Sequence, residues 1–358
     1  MVVYGNDLKN SHFNNVAKLI AEVFPTKCSD AYYIEPYTEG VKQKVSKGKL
    51  PYRYRNLKTS MKERGVMTSK SSSNQVSSND ITIKNLLSEQ QLLESQVWLK
   101  SYTEPWTEVL ERWTKTAPNR IAQFTKRKDL SIINILTEWP LFKHPVGYSL
   151  ISIDFTVLFP EKGLNLLNSW PSCRDKLIDI IRERSNKDKH SIAHQILNTL
   201  PSVISEDGKD IIAMYLLPIL LPPAIIREKD KGSWKPTIAE AQETFVLYVK
   251  DSVSKQIFLE QRKKKYEKLM RPIQPCVIIV GETLQTAKDF YVRFENVEYK
   301  LSSVLGAVDT CFKVIHVMNL VYPPEAYNTW MFIQRYFYKI YLQKEKVPTC
   351  VTSLISEL

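Results

Sequence analysis

Apolar positions along this chain change period in a readable way, and the clearest stretch runs from Pro275 to about Tyr341. Cys276–Val280 is a β-branched run of buried-strand length, ended by Gly281. Phe290–Phe294 and Val297–Leu301 flank Glu295-Asn296, which predicts a hairpin with Asn296 available for a positive φ. The period then lengthens. Val304, Val308, Phe312 and Ile315 recur at steps of four, four and three, and Trp330, Ile333, Phe337 and Ile340 at three, four and three. Two amphipathic helices are expected there, separated by Pro323-Pro324, with Pro324 as the first residue of the second.

Upstream, Val16, Leu19, Ile20 and Val23 mark one face of a helix over 11–24, capped by Ser11 and ended by Pro25. Tyr32–Tyr37 reads as extended, and a second helix is expected across Arg53 to Arg64. The Ser- and Asn-rich run from Thr68 to Asn79 reads as a flexible linker. Beyond it the pattern is helical: Leu86, Leu93 and Val97 line one stripe, Trp106, Leu110 and Trp113 another, Ile132, Ile133 and Leu136 a third. Leu150–Phe155 alternates only partly and is taken as a short irregular segment. Pro171 is expected to start a new helix, with Leu177, Ile180 and Ile181 inward. Ile192, Ile196 and Leu200 mark a further helix. Ile211–Ile226 carries no charge, but it is short for a membrane span and holds Pro218, Pro222 and Pro223, so it reads as a buried, broken helix. Phe245–Val249 and Cys276–Val280 read as strands joined by a crossover helix over about 254–270.

The resulting fold class is mainly α with a C-terminal α+β domain. The expected divisions are a basic helical module over 1–66, a linker over 67–82, a helical domain over 83–230, an α+β domain with about four strands over 231–345, and a tail over 346–358.

Charge sharpens this picture. The net charge of the 358 residues is +12. Lys42 to Lys70 holds ten Lys and Arg against Glu63, or +9, and Arg262 to Arg271 holds six against Glu267, or +5, which leaves −2 for the rest. Basicity this local points to an anionic partner. Lysines and arginines release counterions from phosphates, and Tyr52 and Tyr54 offer stacking faces, so Lys47, Lys49, Arg53, Arg55, Lys58, Lys62 and Arg64 are the candidate nucleic-acid contacts. On a helix, Arg55, Lys58 and Lys62 align best, at steps of three and four. A solvated basic face that binds nothing in particular is the competing reading. Arg262-Lys-Lys-Lys265 is an import-signal candidate or, on the plainer reading, the solvated face of a folded helix whose inner side carries Phe258, Leu259, Tyr266 and Leu269.

Reactive residues are present without usable spacing. Five scattered cysteines give neither a disulfide framework nor a zinc pattern. The N-terminus has no apolar signal core, so a reducing compartment is expected. His190 and His194 are four apart, yet Ser191 stands where a zinc-protease signature needs Glu, and no third ligand is apparent. Cys311 and His316 lie about 140° apart around one helix, and Gly281-Glu-Thr-Leu lacks the Lys-Ser/Thr of a phosphate loop. No metal, cofactor, membrane span or catalytic residue is expected.

The ordered set Trp139-Pro, His144-Pro-Val-Gly-Tyr148, Asp154–Pro160, Trp234-Lys-Pro, Glu240–Phe245, Gly306–His316, Tyr322-Pro-Pro-Glu and Trp330–Gln334 resembles an animal family labelled sterile alpha motif domain-containing protein 3-like. The resemblance covers about residues 85–342. It implies no activity and no catalytic residues, and residues 1–65 do not look like the sterile alpha motif that some members carry ahead of this region. The expected function is therefore a non-enzymatic nucleic-acid-binding protein, DNA favoured over RNA, intracellular and preferentially nuclear. The alternative is a protein-interaction or self-association scaffold docking through the helix at 83–99 and the C-terminal domain.

Overall fold

The computed structural model describes residues 10–23, 29–39, 42–44, 46, 48–51, 89–126, 131–187, 191–198, 200, 204–228, 232–342 and 345–358. The chain divides into two compact units, Met1–Ile83 and Lys84–Leu358.

In the first unit, helix α1 (Asn10–Val23) buries Phe13 and Ala17 against Tyr33, while Val16, expected to face inward, is exposed. A single 3₁₀ turn (Ser29–Ala31) leads to a short antiparallel pair, β1 (Tyr37–Glu39) and β2 (Lys42–Lys44). The module, expected to be helical apart from an extended Tyr32–Tyr37, therefore also includes an antiparallel strand pair. The helix expected over 53–64 and the linker over 67–82 lie outside the described residues.

In the second unit the helices follow one another closely. They are α2 (Glu89–Ser101), α3 (Trp106–Lys126), α4 (Ile132–Glu138), α5 (Tyr148–Leu158), α6 (Asn165–Ser185), α7 (Ile192–Asn198) and α8 (Glu206–Leu220). Two expectations are corrected here. Residues 148–158 form α5, because Leu150, Ile151, Asp154 and Phe155 are buried at helical spacing. Pro171 sits inside α6 and starts nothing. The missing N–H is outweighed by Leu166, Trp170, Cys173 and Leu177, buried along one continuous face. The uncharged run at 211–220 is a core helix in which Ile211, Ile212, Met214, Leu216 and Leu217 are all buried. No described helix is long and apolar enough to cross a membrane.

A short pair, β3 (Ile226–Glu228) and β4 (Gly232–Trp234), precedes α9 (Ile238–Phe245), which runs directly into β5 (Val246–Val249). Thr237 and Glu240 cap α9 reciprocally. Helix α10 (Ser252–Leu269) is capped by Asp251, ends on left-handed Met270, and crosses to β6 (Cys276–Val280), which lies parallel to β5. Strands β7 (Asp289–Phe294) and β8 (Val297–Leu301) add antiparallel, giving a four-stranded mixed sheet in the order β5-β6-β7-β8. The hairpin is where the sequence placed it, but the positive φ falls on Glu295. Helix α11 (Val304–Val317) starts at the Ser303 cap. The second closing helix is composite: a 3₁₀ turn (Pro324–Ala326), α12 (Tyr327–Phe332) and a π turn (Ile333–Phe337).

Alternation along the strands splits the sheet into two faces. Val277, Ile279, Phe290, Val292 and Phe294 enter the main core with α11, while Leu247, Val249, Cys276, Ile278 and Val280 pack beneath Phe258 and Leu259 of α10. That main core also contains Trp113, Phe142, Phe155, Trp170 and Leu217, so the helical part and the sheet share one interior. The expected boundary between 83–230 and 231–345 is absent. Tyr299 Oη of β8 donates to the Phe142 carbonyl at 2.5 Å, and Phe155 packs edge-on against Phe312. The expected tail at 346–358 also belongs here, as α13 (Thr349–Glu357) with Val351 and Leu354 buried.

Gly281 ends β6 for a steric reason: a Cβ there would lie 2.6 Å from Cα and 2.7 Å from Cβ of Ala287. Gly281→Ala is expected to cost roughly 2 kcal/mol, since the backbone at 287 has to move. Urea denaturation checks this, and an unchanged midpoint would remove the steric assignment.

Candidate functional site

Among the seven candidate contacts of the basic module, only Lys49 falls within the described residues. It sits in the helical turn at 49–51, exposed, with Nζ 5.5 Å from the Tyr32 ring centroid. Lys47, Arg53, Arg55, Lys58, Lys62 and Arg64 lie outside them.

The reactive residue types of α11 are each held in a different buried network. Cys311 is fully buried, and burial raises its thiol well above the ordinary value. His316 is enclosed by Phe155, Phe159 and Phe312, and burial lowers its pKa to about 4, so it is neutral. Its Nε2 lies 2.7 Å from Tyr322 Oη, which donates to Gln334 Oε1 at 2.7 Å. Because that hydroxyl proton is committed to Gln334, Nε2 carries the imidazole proton. The Gln334 amide protons are used in turn: its Nε2 donates to Glu345 Oε2 at 2.6 Å and to the Ile340 carbonyl at 3.3 Å. Asp309 accepts from Lys313 at 2.6 Å and from Tyr338 Oη at 2.5 Å. These arrangements satisfy polar groups inside a core, as their burial requires.

His194 contacts Asn198 at 2.7 Å, and His190 lies outside the described residues. No group of three His, Cys, Asp or Glu side chains among the described residues is placed to hold a metal ion. At Gly281–Leu284 the carbonyls of Gly281 and Glu282 both accept from Tyr248 Oη at 3.0 Å, so this loop turns acceptors and not N–H donors toward its neighbour.

The Asp154 motif builds a buried ion pair. Arg120 and Asp154 are both fully excluded from solvent. Arg120 donates to both carboxylate oxygens, at 2.9 and 2.5 Å, and Trp113 Nε1 donates at 3.1 Å. The guanidinium lies 3.6 Å from the Trp113 ring centroid and 4.9 Å from that of Trp139.

Helix α10 presents a run of exposed cations. Lys263, Lys264, Lys265 and Lys268 are exposed, with Lys265 paired to Glu240 at 3.1 Å. Arg262, expected on the solvated face with its neighbours, turns inward and is 6% exposed. Its Nη1 donates to the Glu243 carbonyl at 3.2 Å and its Nη2 to the Gln274 carbonyl at 3.3 Å, fastening the crossover helix to the segments that precede β5 and β6. Leu269, expected inward, is exposed. The signal for Arg262 was present in the sequence. Phe258, Arg262 and Tyr266 fall at steps of four, and that stripe outranks the apparent unity of a four-residue basic run. Burial pushes the Tyr266 hydroxyl up to about 12, opposed by the nearby Arg262 charge.

Comparison of the chain with protein-family models, with curated proteins and with solved structures gives no match.

Proposed function

We propose that this chain is a non-catalytic nucleic-acid-binding protein, DNA favoured, acting in the nucleus through the basic segment at 42–70. Residues 84–358 are its structural and interaction part. The observation that carries the reading is the segregation of charge, +9 within 29 residues of a chain whose total is +12. Two further points support it. Lys49 stands exposed beside an aromatic ring, the pairing that suits a phosphate and a stacked base. The Cys, His and Asp of α11 serve packing, which favours a binding role over a catalytic one. The same reading includes membership of the sterile alpha motif domain-containing protein 3-like family. Of its motif residues, Trp139, Asp154, Phe312 and Trp330 are core positions, as expected where a family shares a scaffold.

The test is fluorescence anisotropy of labelled duplex and single-stranded DNA against the full chain over a salt series. Replacing Arg55, Lys58 and Lys62 together by alanine is expected to weaken binding at least about tenfold at low salt and to flatten the log–log salt slope by roughly 2–3. Retention on neither heparin nor DNA at low salt would sink the proposal.

A second reading, a protein-interaction scaffold, is favoured by α2. There Leu93 and Val97, one turn apart, are 61% and 56% exposed, while Leu99 faces the core.

A further inference from the structure

Outside the basic segment, the described residues contain a cleft of about 200 Å³ between α10, the approach to β6 and the β7–β8 turn. Its charged lining is mostly cationic, with the buried Arg262 beside Lys263 and Arg293, and Asn296 is polar. Its apolar lining comes from Leu259, Ile273 and Cys276, on the face of the sheet that α10 covers. Glu295 is the one carboxylate among the lining residues.

The charges are not balanced from within. Arg262 is nine-tenths buried, yet among the described residues its two terminal nitrogens reach only carbonyls, its Nε has no hydrogen-bond partner, and Glu240 and Glu325, which line a neighbouring cleft with it, are paired with Lys265 and Arg271. A guanidinium does not neutralise by losing its proton, so its burial without a counter-anion is unfavourable. The Arg293 side chain has neither an ion pair nor a hydrogen bond among the described residues. Its cross-strand neighbour Glu298 is the obvious counter-charge, but Glu298 is taken by Lys255 at 2.9 Å. Among the described residues Lys263 reaches only Glu267, at 3.9 Å.

We infer that this cleft is a binding site for a small carboxylate with a short aliphatic or aromatic body, held by its anionic end between Arg262, Lys263 and Arg293. A carboxylate matches the fork of Arg293 and supplies the negative charge that Arg262 lacks. The body of the ligand covers the apolar wall. The volume, below the roughly 300–1,000 Å³ of sites for drug-sized ligands, limits the ligand to a small acid. The inference is independent of the nucleic-acid reading, which rests on another part of the chain.

Benzoate is the probe, titrated into the full chain and followed by ligand-observed NMR. Benzoate is expected to bind about tenfold more tightly than benzamide, the neutral analogue of the same shape. Inorganic phosphate, which fills none of the apolar wall, is expected to bind more weakly than benzoate. Arg293→Gln removes a side chain with no partner to lose, so folding is kept, and it is expected to weaken benzoate about tenfold. Lys300→Gln, a cation on the neighbouring strand paired with Asp289, is expected to leave benzoate binding unchanged, as is the triple substitution at Arg55, Lys58 and Lys62. Equal binding of benzamide or of phosphate, or benzoate binding unaffected by Arg293→Gln, would overturn the assignment.

Discussion

Asp154→Ala is expected to destabilise the protein by about 3–5 kcal/mol, the cost of leaving a buried charge without its partner. Burial pushes the Asp154 carboxyl up and the Arg120 guanidinium opposes it. Three N–H groups converge on its two oxygens, which is the arrangement that holds a carboxylate ionised. Removing it leaves Arg120 with the Thr116 hydroxyl at 2.9 Å and the Trp113 carbonyl at 3.0 Å, neither of which carries a charge, and leaves Trp113 Nε1 unpaired. The pair also joins α3 to α5, residues 34 apart in sequence, so the loss is felt in the packing of both helices. Urea denaturation monitored by tryptophan fluorescence measures it. The double substitution Arg120→Met with Asp154→Leu is expected to cost much less than the two single changes summed, because no orphaned charge remains. A single-substitution loss below about 1 kcal/mol would mean that the pair contributes no more than an exposed one does.

The second large effect is an acid limb set by His316. Its folded pKa, lowered to about 4 by burial, lies below the 6.5 of an exposed imidazole. Between those values the unfolded chain binds a proton that the folded chain refuses, so stability is full above about pH 6.5 and falls as the pH drops toward 4. At pH 4.5 the loss from this one group is about 2.5 kcal/mol. The groups around the ring are Phe155, Phe159, Phe312 and the Tyr322 hydroxyl, so no anion is in contact to stabilise an imidazolium. His316→Gln keeps a donor toward Tyr322 and removes the titration. Carboxylates titrate in the same range in both proteins, so the quantity to compare is the difference between wild type and variant at pH 7 and pH 4.5. Parallel pH profiles for the two would show that His316 is not the source.

Periodicity was most legible where one face of an element is wet. The β7–β8 hairpin could be drawn from the sequence because alternation there matches burial closely, whereas α11 was found from its apolar spacing although it is buried on nearly every side. Pattern failed where packing is two-sided or where a local preference is overruled. Residues 148–158 are apolar on too many positions to show a period, and Pro171 is carried inside a helix whose buried face is continuous. The division into a helical and an α+β domain failed for a related reason. Contacts such as Tyr299 with Phe142 or Phe155 with Phe312 join residues more than 150 positions apart, and composition holds no trace of them. For the site, the sequence located the basic segments but treated Arg262 as one of four equivalent cations. Its inward turn appears only once Phe258 and Tyr266 are seen to share its side of α10.

The amino-acid order by itself located most of the helices and the four strands of the main sheet, showed where charge accumulates, and placed Cys311 and His316 on different sides of one helix. Those properties follow from nearest-neighbour spacing along the backbone and need no knowledge of partners. Tertiary structure alone decided that residues 84–358 share a single interior, that Arg120 meets Asp154, and that Arg262 and Arg293 face one cleft without an ion-pair partner among the described residues. The physical reason is that desolvation and ion pairing depend on distance in space, and chain separation sets no such distance for residues brought together by packing.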